Sequence, residues 1–406
     1  MIDKSAVRIF ALDDEPFMLK LIARMLENQG FTSVSCFETA RAALESYDKP
    51  STPPDVILLD LNMPDIDGVE FVRKLVERRY AGSLVLMSGE DERVLQTAEK
   101  LVHAHKITLL GRLDKPVSPQ KMAALFDKWA PLQQRGLQAA KKPYAAEEVR
   151  AAIGKGELVN YYQPKVAVAT GEVVGVETLV RWRHPVAGMV FPDQFVGVAE
   201  AHGLIDDLTR AVLTGALTQA NAWRQMGLDL RVAVNVSMDN LTSLGFPDLV
   251  AGLAVNAGVP PRALMLEVTE SRLMQDTRAA LDILTRLRLK RFGLSIDDFG
   301  TGHSSLSQLR DIPFDELKID RGFVHGAEAN KTVRAIYDAS LSLAKQLGME
   351  VVAEGVEDRA DWDFLCRTGC HLAQGYFIAK PMPAADPPSW MKVWRERVRS
   401  GFAAWA

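Results

Sequence analysis

The stretch Gly293-Leu294-Ser295-Ile296-Asp297-Asp298-Phe299-Gly300 decides how the longer half of the chain folds. A short run of strand character, Gly293 to Ile296, stops at two adjacent acids. A carboxylate is costly to bury alone, so a strand interior that breaks at acids implies a strand end opening onto a polar site. The same grammar recurs in Val176-Glu177-Thr178-Leu179-Val180-Arg181-Trp182, Val234-Asn235-Val236-Ser237 and Leu266-Glu267-Val268-Thr269-Glu270. It returns in Leu317-Lys318-Ile319-Asp320 and Val352-Ala353-Glu354-Gly355-Val356-Glu357.

Working outward, expected strands run from Val159 to Val166, Val173 to Trp182, Val232 to Val236 and Leu264 to Thr269. They continue from Gly293 to Ile296, Glu316 to Ile319, Glu350 to Ala353 and Leu372 to Ile378. Helical patterns such as Arg278 to Leu289 and Thr332 to Leu347 separate them. About eight strands in roughly 250 residues predict a closed (β/α)8 TIM-like barrel, whose sites lie at the carboxyl ends of its strands. Acids gathered on that rim repel one another unless cations lie among them. Glu, Asn and Asp oxygens without His or Cys select hard ions, Mg²⁺ or Mn²⁺. Adjacent Asp297 and Asp298 allow one carboxylate to bridge two ions while the other holds the second.

The front of the chain has the same logic in an open sheet. Val7 to Leu12 ends at Asp13-Asp14, Val56 to Leu59 at Asp60, and Leu84 to Met87 at Ser88; Lys115-Pro116 closes a fifth strand. Phe17 to Gln29 places Leu19, Ile22, Met25 and Leu26 on one helix face, with Gly30 as the stop. Alternating strands and helices imply a parallel sheet covered on both faces, with ligands bound at its carboxyl edge. Three converging carboxylates suit Mg²⁺, and a lysine and a hydroxyl beside them suit a phosphoryl group. From Trp129 to Tyr144 the pattern turns to Pro131-Leu132-Gln133-Gln134-Arg135-Gly136 and Lys141-Lys142-Pro143, a linker. The expected organisation is therefore a domain over 1–128, a linker over 129–144 and a barrel over 145–395.

Composition excludes several classes. The 406 residues are 48% hydrophobic and 25% charged, and 48 basic against 52 acidic residues give a net charge of −4. Nothing there calls for a nucleic acid polymer or a membrane as partner, and Lys141-Lys142 is too short for a recognition element. Cys36, Cys366 and Cys370 make no disulfide framework; Cys366 and Cys370 fall four apart on an expected helix, with too few further ligands for zinc. Without a signal-like or ~18-residue apolar stretch, the chain is expected to be cytoplasmic.

The front half resembles the two-component response-regulator receiver domains, a flavodoxin-like (βα)5 fold. The resemblance implies that Asp60 accepts a phosphoryl group from a cognate sensor histidine kinase. Asp13 and Asp14, with Asp60, would hold one Mg²⁺, Ser88 would be the switch hydroxyl, and Lys115 would contact the phosphoryl group after a cis Lys115-Pro116 bond. Where the family carries an aromatic switch residue, this chain has Arg112.

The back half resembles the EAL-domain cyclic di-GMP phosphodiesterases through Glu177-Thr178-Leu179, Asp297-Asp298-Phe299-Gly300-Thr301-Gly302, Lys318-Ile319-Asp320 and Glu354-Gly355-Val356-Glu357. Tyr162-Gln163-Pro164 and Gln374-Gly375 complete the likeness, in which Thr178 replaces the usual middle residue. It implies two Mg²⁺ or Mn²⁺, one on Glu177, Asn235, Glu267 and Asp297, the other on Asp297, Asp298 and Glu354. Lys318 or Glu354 would take the proton of the attacking water. Gln163, Arg181, Asp320 and Gln374 would meet the substrate, while Glu357 and Glu270 would support the shell and the loop from Asp298 to Ser305. The implied reaction opens cyclic di-GMP to linear pGpG under control of Asp60, with a catalytically inactive sensor of the same dinucleotide as the alternative. Pairing is common in both families, so a homo-oligomer, dimer or tetramer, is expected.

Overall fold

The computed structural model describes residues 4–49, 53–89, 92–105, 107–127, 129, 144–269, 277–300, 309 and 312–401. The chain divides into two units, Met1–Lys141 and Lys142–Ala406. Glu270, residues 301–308 and most of the expected linker lie outside the described residues.

In the first unit, strands β1 (Arg8–Leu12), β2 (Ser33–Phe37), β3 (Val56–Asp60), β4 (Ser83–Ser88) and β5 (Thr108–Asp114) alternate with five helices. These are α1 (Pro16–Asn28), α2 (Ala40–Tyr47), α3 (Gly68–Glu77), α4 (Glu92–Ala104) and α5 (Pro119–Asp127). All pairings are parallel, in the order β2-β1-β3-β4-β5. Successive strand residues face opposite sides of a sheet, and the two cores show it. Ile57, Leu59, Leu84 and Leu86 pack with α2, α3 and α4 residues such as Leu44, Phe71 and Leu95. Ile9, Val56, Leu58, Val85 and Met87 pack instead with Ile22 and Leu26 of α1 and Met122 and Phe126 of α5. With both faces covered, β3 and β4 are buried along their whole lengths. Their ends therefore have to carry the polar groups.

The second unit is a barrel. Its strands are β6 (Leu158–Ala167), β7 (Val173–His184), β8 (Gly188–Val190), β9 (Arg231–Asn235), β10 (Leu264–Thr269), β11 (Gly293–Phe299), β12 (Glu316–Ile319), β13 (Glu350–Ala353), β14 (Leu372–Ala373) and β15 (Met382–Pro383). From β7 through β9 to β14 all barrel pairings are parallel. β6 closes the ring by pairing antiparallel with both β7 and β14. The eight-stranded barrel thus contains one reversed strand, because a short hairpin rather than a helical crossover joins β6 to β7. β8 and β15 flank the ring.

Two local expectations change. The run from Leu372 to Ile378 stays a strand only to Ala373, and the chain then folds so that Ala379 N bonds Gly375 O. Cys370 is not helical: the helix Arg359–Thr368 ends at left-handed Gly369, and the buried Cys370 lies beyond it. All three cysteines are free. Among the described residues no helix is long and apolar enough to cross a membrane.

Candidate active site

The barrel strands raise their polar residues in layers. On β10, β11 and β12, Glu267, Ser295 and Glu316 stand in one register. Asp297 and Lys318 follow two residues further along their strands, on the same interior face. Asp298 would normally turn away from Asp297. A bulge in the β11–β12 pairing after Ile296 and a left-handed Asp298 (φ 56°) bring it round. Oxygens of Asp297, Asp298 and Glu354 then lie within 4.8 Å of one another, as do those of Glu177, Glu267 and Asp297. Asp297 belongs to both sets.

Lys318 lies in the middle, almost fully buried. Its Nζ is 2.7 Å from Glu354 Oε1, 3.1 Å from both Asp297 Oδ1 and Glu267 Oε2, and 3.7 Å from Glu177 Oε2. Asn235 Nδ2 donates to Glu177 Oε1 at 2.8 Å, and Gln374 Nε2 donates to Glu177 Oε2 at 2.6 Å and to Gln163 Oε1 at 3.0 Å. Gln163, Glu177, Asp297, Lys318, Arg321, Glu354, Glu357, Gln374 and Tyr376 line an open cleft of about 280 Å³.

The donor set fits hard divalent cations. Every clustered ligand is a carboxylate oxygen. Lys165 and Lys318 together offset Glu267 and Glu316, which leaves Glu177, Asp297, Asp298 and Glu354, four carboxyls whose charges, once all are ionised, two divalent ions would balance. Gln374 Oε1 is buried with no hydrogen-bond donor among the described residues, an atom that a site water would satisfy.

Burial pushes Glu177 upward and drives Glu354 to about 8, because desolvation outweighs the attraction of Lys318. Burial would also raise Glu267, but Lys165 and Lys318 outweigh it and hold that carboxyl near 2. The four surrounding carboxylates more than offset the burial of Lys318 and raise it well above its ordinary value. A cation binding at Glu354 must displace the proton held there below pH 8. Its apparent affinity should therefore fall about tenfold for each pH unit below that value and level off above it. Calorimetric Mn²⁺ titrations in buffers of different ionisation enthalpy check this through the proton released.

Some expected substrate-contacting and shell residues have protein partners of their own. Arg181 does not line this cleft: its guanidinium stacks 4.9 Å from the Phe191 ring and 5.9 Å from Tyr161, and Nη1 donates to Val180 O. Asp320 uses Oδ1 to cap the helix Arg321–Val324 by accepting from Gly322 N. Glu357 is held by Arg321 at 2.6 Å. Three residues absent from the sequence-based expectations belong to the site's surroundings: Lys165, Arg321 and Tyr376. Lys165 had a signal, standing two positions after Gln163 on one strand face.

In the first unit the expected residues also converge. Asp13, Asp14 and Asp60 bring oxygens within 4.8 Å of one another. Lys115 Nζ is 2.7 Å from Asp60 Oδ2 and 2.9 Å from Asp13 Oδ2, although that last atom is buried without an aligned hydrogen-bond donor. Burial raises the Asp60 carboxyl. Lys115 N donates to the carbonyl of buried Ser88, and the Lys115-Pro116 bond is cis. Arg112 is exposed on β5.

Residues 146–381 match the EAL domain family, and residues 9–127 match the response regulator receiver domain. The chain is 32% identical over 383 residues to the cyclic di-GMP phosphodiesterase RocR of Pseudomonas aeruginosa, covering 93% of this chain and 96% of that one. It is 42% identical over 238 residues to the bifunctional diguanylate cyclase/cyclic di-GMP phosphodiesterase MucR of the same organism, 58% of this chain but 35% of that one. A solved structure of the PaMucR phosphodiesterase in complex with c-di-GMP superposes with a TM-score of 0.57 at 42% identity, over 59% of this chain and 98% of that one. Match lengths, domain order and strand-end acids agree, and the chain belongs to the EAL-domain family, in the arrangement that carries a receiver domain in front.

Proposed function

We propose that this protein hydrolyses cyclic di-GMP to linear pGpG with two Mg²⁺ or Mn²⁺ ions, and that phosphorylation of Asp60 changes the rate. One observation carries the reading: two carboxylate clusters share Asp297 beside buried Lys318 at the floor of an open cleft. The names of RocR and the MucR complex support cyclic di-GMP as the substrate.

Glu177, Asn235, Glu267 and Asp297 would hold one ion, and Asp297, Asp298 and Glu354 the other. When bound, such ions supply a water acidified enough to act as nucleophile and neutralise charge on phosphorus oxygens. The protein's own groups do the rest. Gln163 and Gln374 orient the Glu177 carboxylate and offer amides to the substrate. Lys318 and Glu354, 2.7 Å apart, form the pair through which the water's proton leaves. Arg181, buried against aromatic rings, presents a guanidinium whose burial makes it a stronger partner for a phosphate or sugar oxygen. A neighbouring hollow of about 430 Å³, walled by Leu179, Val196, Ile205 and Met238 with Asn235 at its edge, offers a flat base apolar surfaces and the carboxylates of Asp193 and Glu200. Glu357 and Asp320 would complete the polar shell, Asp320 at the turn after β12; the expected bracing of the loop from Asp298 to Ser305 by Glu270 lies outside the described residues.

In the first unit, Asp13 and Asp14 with Asp60 would hold one Mg²⁺, while Lys115 and Ser88 receive the phosphoryl oxygens from a sensor histidine kinase. The protein would work in the cytoplasm as a dimer or tetramer. Chromatography of full-length protein with Mn²⁺ and cyclic di-GMP tests the reading. We expect pGpG to accumulate, turnover to fall about 10³-fold or more in Glu177→Ala, and a phosphoryl donor to alter the wild-type rate but not that of Asp60→Asn. Tight binding with no product sinks the enzymatic reading in favour of a sensor.

A further inference from the structure

Lys165 is a buried cation that the proposed reaction does not use. It stands on reversed strand β6, two residues beyond Gln163, which pairs with Glu177; Lys165 itself pairs with Gly175, two residues short of Glu177 on β7. Lys165 therefore occupies the barrel layer below the cleft, level with Glu267, Ser295 and Glu316. Gly175 leaves this layer without a side chain, and a Cβ there would come within 2.7 Å of Arg231 O.

The contacts in that layer converge on one carboxylate. Lys165 Nζ is 2.6 Å from Glu267 Oε1 and 2.8 Å from Glu316 Oε1, and Ser295 Oγ donates to the same Glu316 oxygen at 2.9 Å. Each member of this set is at least 97% buried. The second oxygen of Glu267, Oε2, meets Lys318 in the layer above. The two oxygens of Glu267 thus belong to different layers, one clamped from beneath and the other facing Lys318 Nζ, which also meets Glu177 Oε2 and Asp297 Oδ1.

We propose that Lys165, braced by Glu316 and Ser295, is a positioning residue for the metal centre: it pins Glu267 Oε1 so that Oε2 is presented, correctly turned, to the cations. The proposal rests on the metal-dependent reading above. Without Lys165 the Glu267 carboxylate would rotate, and one ligand of the first ion would be misplaced before any substrate arrives. Partners that orient a ligand in this way change metal affinity by about 10–100-fold when removed.

The test is Mn²⁺ binding to the full-length protein, followed by electron paramagnetic resonance of the free ion, with barrel binding taken as the difference from Glu177→Ala. Lys165→Met should weaken barrel binding by about 10–100-fold and lower kcat more than it raises KM. Should the lone substitution prevent folding, the pair Lys165→Met with Glu316→Gln removes one charge of each sign and should show the same weakening. Either folded variant binding Mn²⁺ within twofold of wild type, with only its thermal midpoint lowered, would make Lys165 a core ion pair and overturn the proposal. No difference between wild type and Glu177→Ala would overturn the metal-dependent reading as well, so the two failures are told apart.

Discussion

Lys318→Met is expected to bind Mn²⁺ more tightly than wild type while losing about 10²–10⁴-fold in turnover. The two effects point in opposite directions, and that separates a catalytic lysine from a scaffold lysine. Lys318 Nζ lies among the carboxylates that would serve as ligands, within 2.7–3.7 Å of four of them. A cation arriving there competes with the ammonium for Glu267 Oε2 and Asp297 Oδ1. Like charges about 4 Å apart repel by about 4 kcal/mol per unit charge at an effective dielectric near 20, so removing the lysine relieves the incoming ions. Turnover falls because the pair that takes the water's proton has lost one member.

The same variant should be less stable without metal, by about 3–5 kcal/mol at neutral pH, since breaking a buried pair leaves uncompensated charge. The sign with pH follows from carboxyls whose folded-state pKa lies above the unfolded value, as those of Glu177 and Glu354 already do. Protonating them favours the folded form, so the deficit shrinks as pH falls and grows above pH 8. Urea denaturation with and without Mn²⁺ measures both parts. Turnover within tenfold of wild type, or weaker Mn²⁺ binding, would contradict this role.

The strand-end acids could be found in the sequence because they interrupt buried apolar runs, and interruption is a local signal. Leu264–Thr269 and Glu316–Ile319 have the limits expected from it. β2 left no such signal: its Ser33-Val34-Ser35-Cys36-Phe37 is at the sheet edge, with no fully buried residue. Cys370 looked helical by spacing alone, but the left-handed Gly369 between it and Cys366 ends the helix first. The short turn between Ala167 and Val173 reverses β6 locally, but its pairing with β14 depends on closure of the ring, which periodicity does not encode. Lys165 shared a strand face with Gln163, but its partners were hidden for that reason: its position next to Glu267 and Glu316 exists only once the ring has closed. Arg181 was reached through the family resemblance, and Phe191 and Tyr161 determine where its guanidinium stacks.

The departure of the chain from strand geometry after Ala373 leads to the second large expectation. Gly375→Ala should destabilise the barrel by about 1–3 kcal/mol and reduce turnover sharply, although residue 375 carries no chemistry. A Cβ at this buried position would lie 2.2 Å from Val356 O and 2.3 Å from Val356 N, and neither atom is a flexible side-chain end that can swing aside. The two segments are also laced together, with Val356 N donating to Gln374 O and Phe377 N to Val356 O. Forcing them apart displaces Gln374, whose amide holds Glu177 Oε2 at 2.6 Å, and shifts the segment from Glu354 to Glu357 on the other side. Gly252→Ala gives the contrast. It lies within the helix Phe246–Asn256 with nothing inside 4 Å of the added carbon, so it should be neutral or stabilising by up to about 1 kcal/mol. Urea midpoints and pGpG formation for the two variants measure the difference. Equal stability and equal turnover would mean that the close approach of residues 356 and 375 does not hold the Gln374 amide in place.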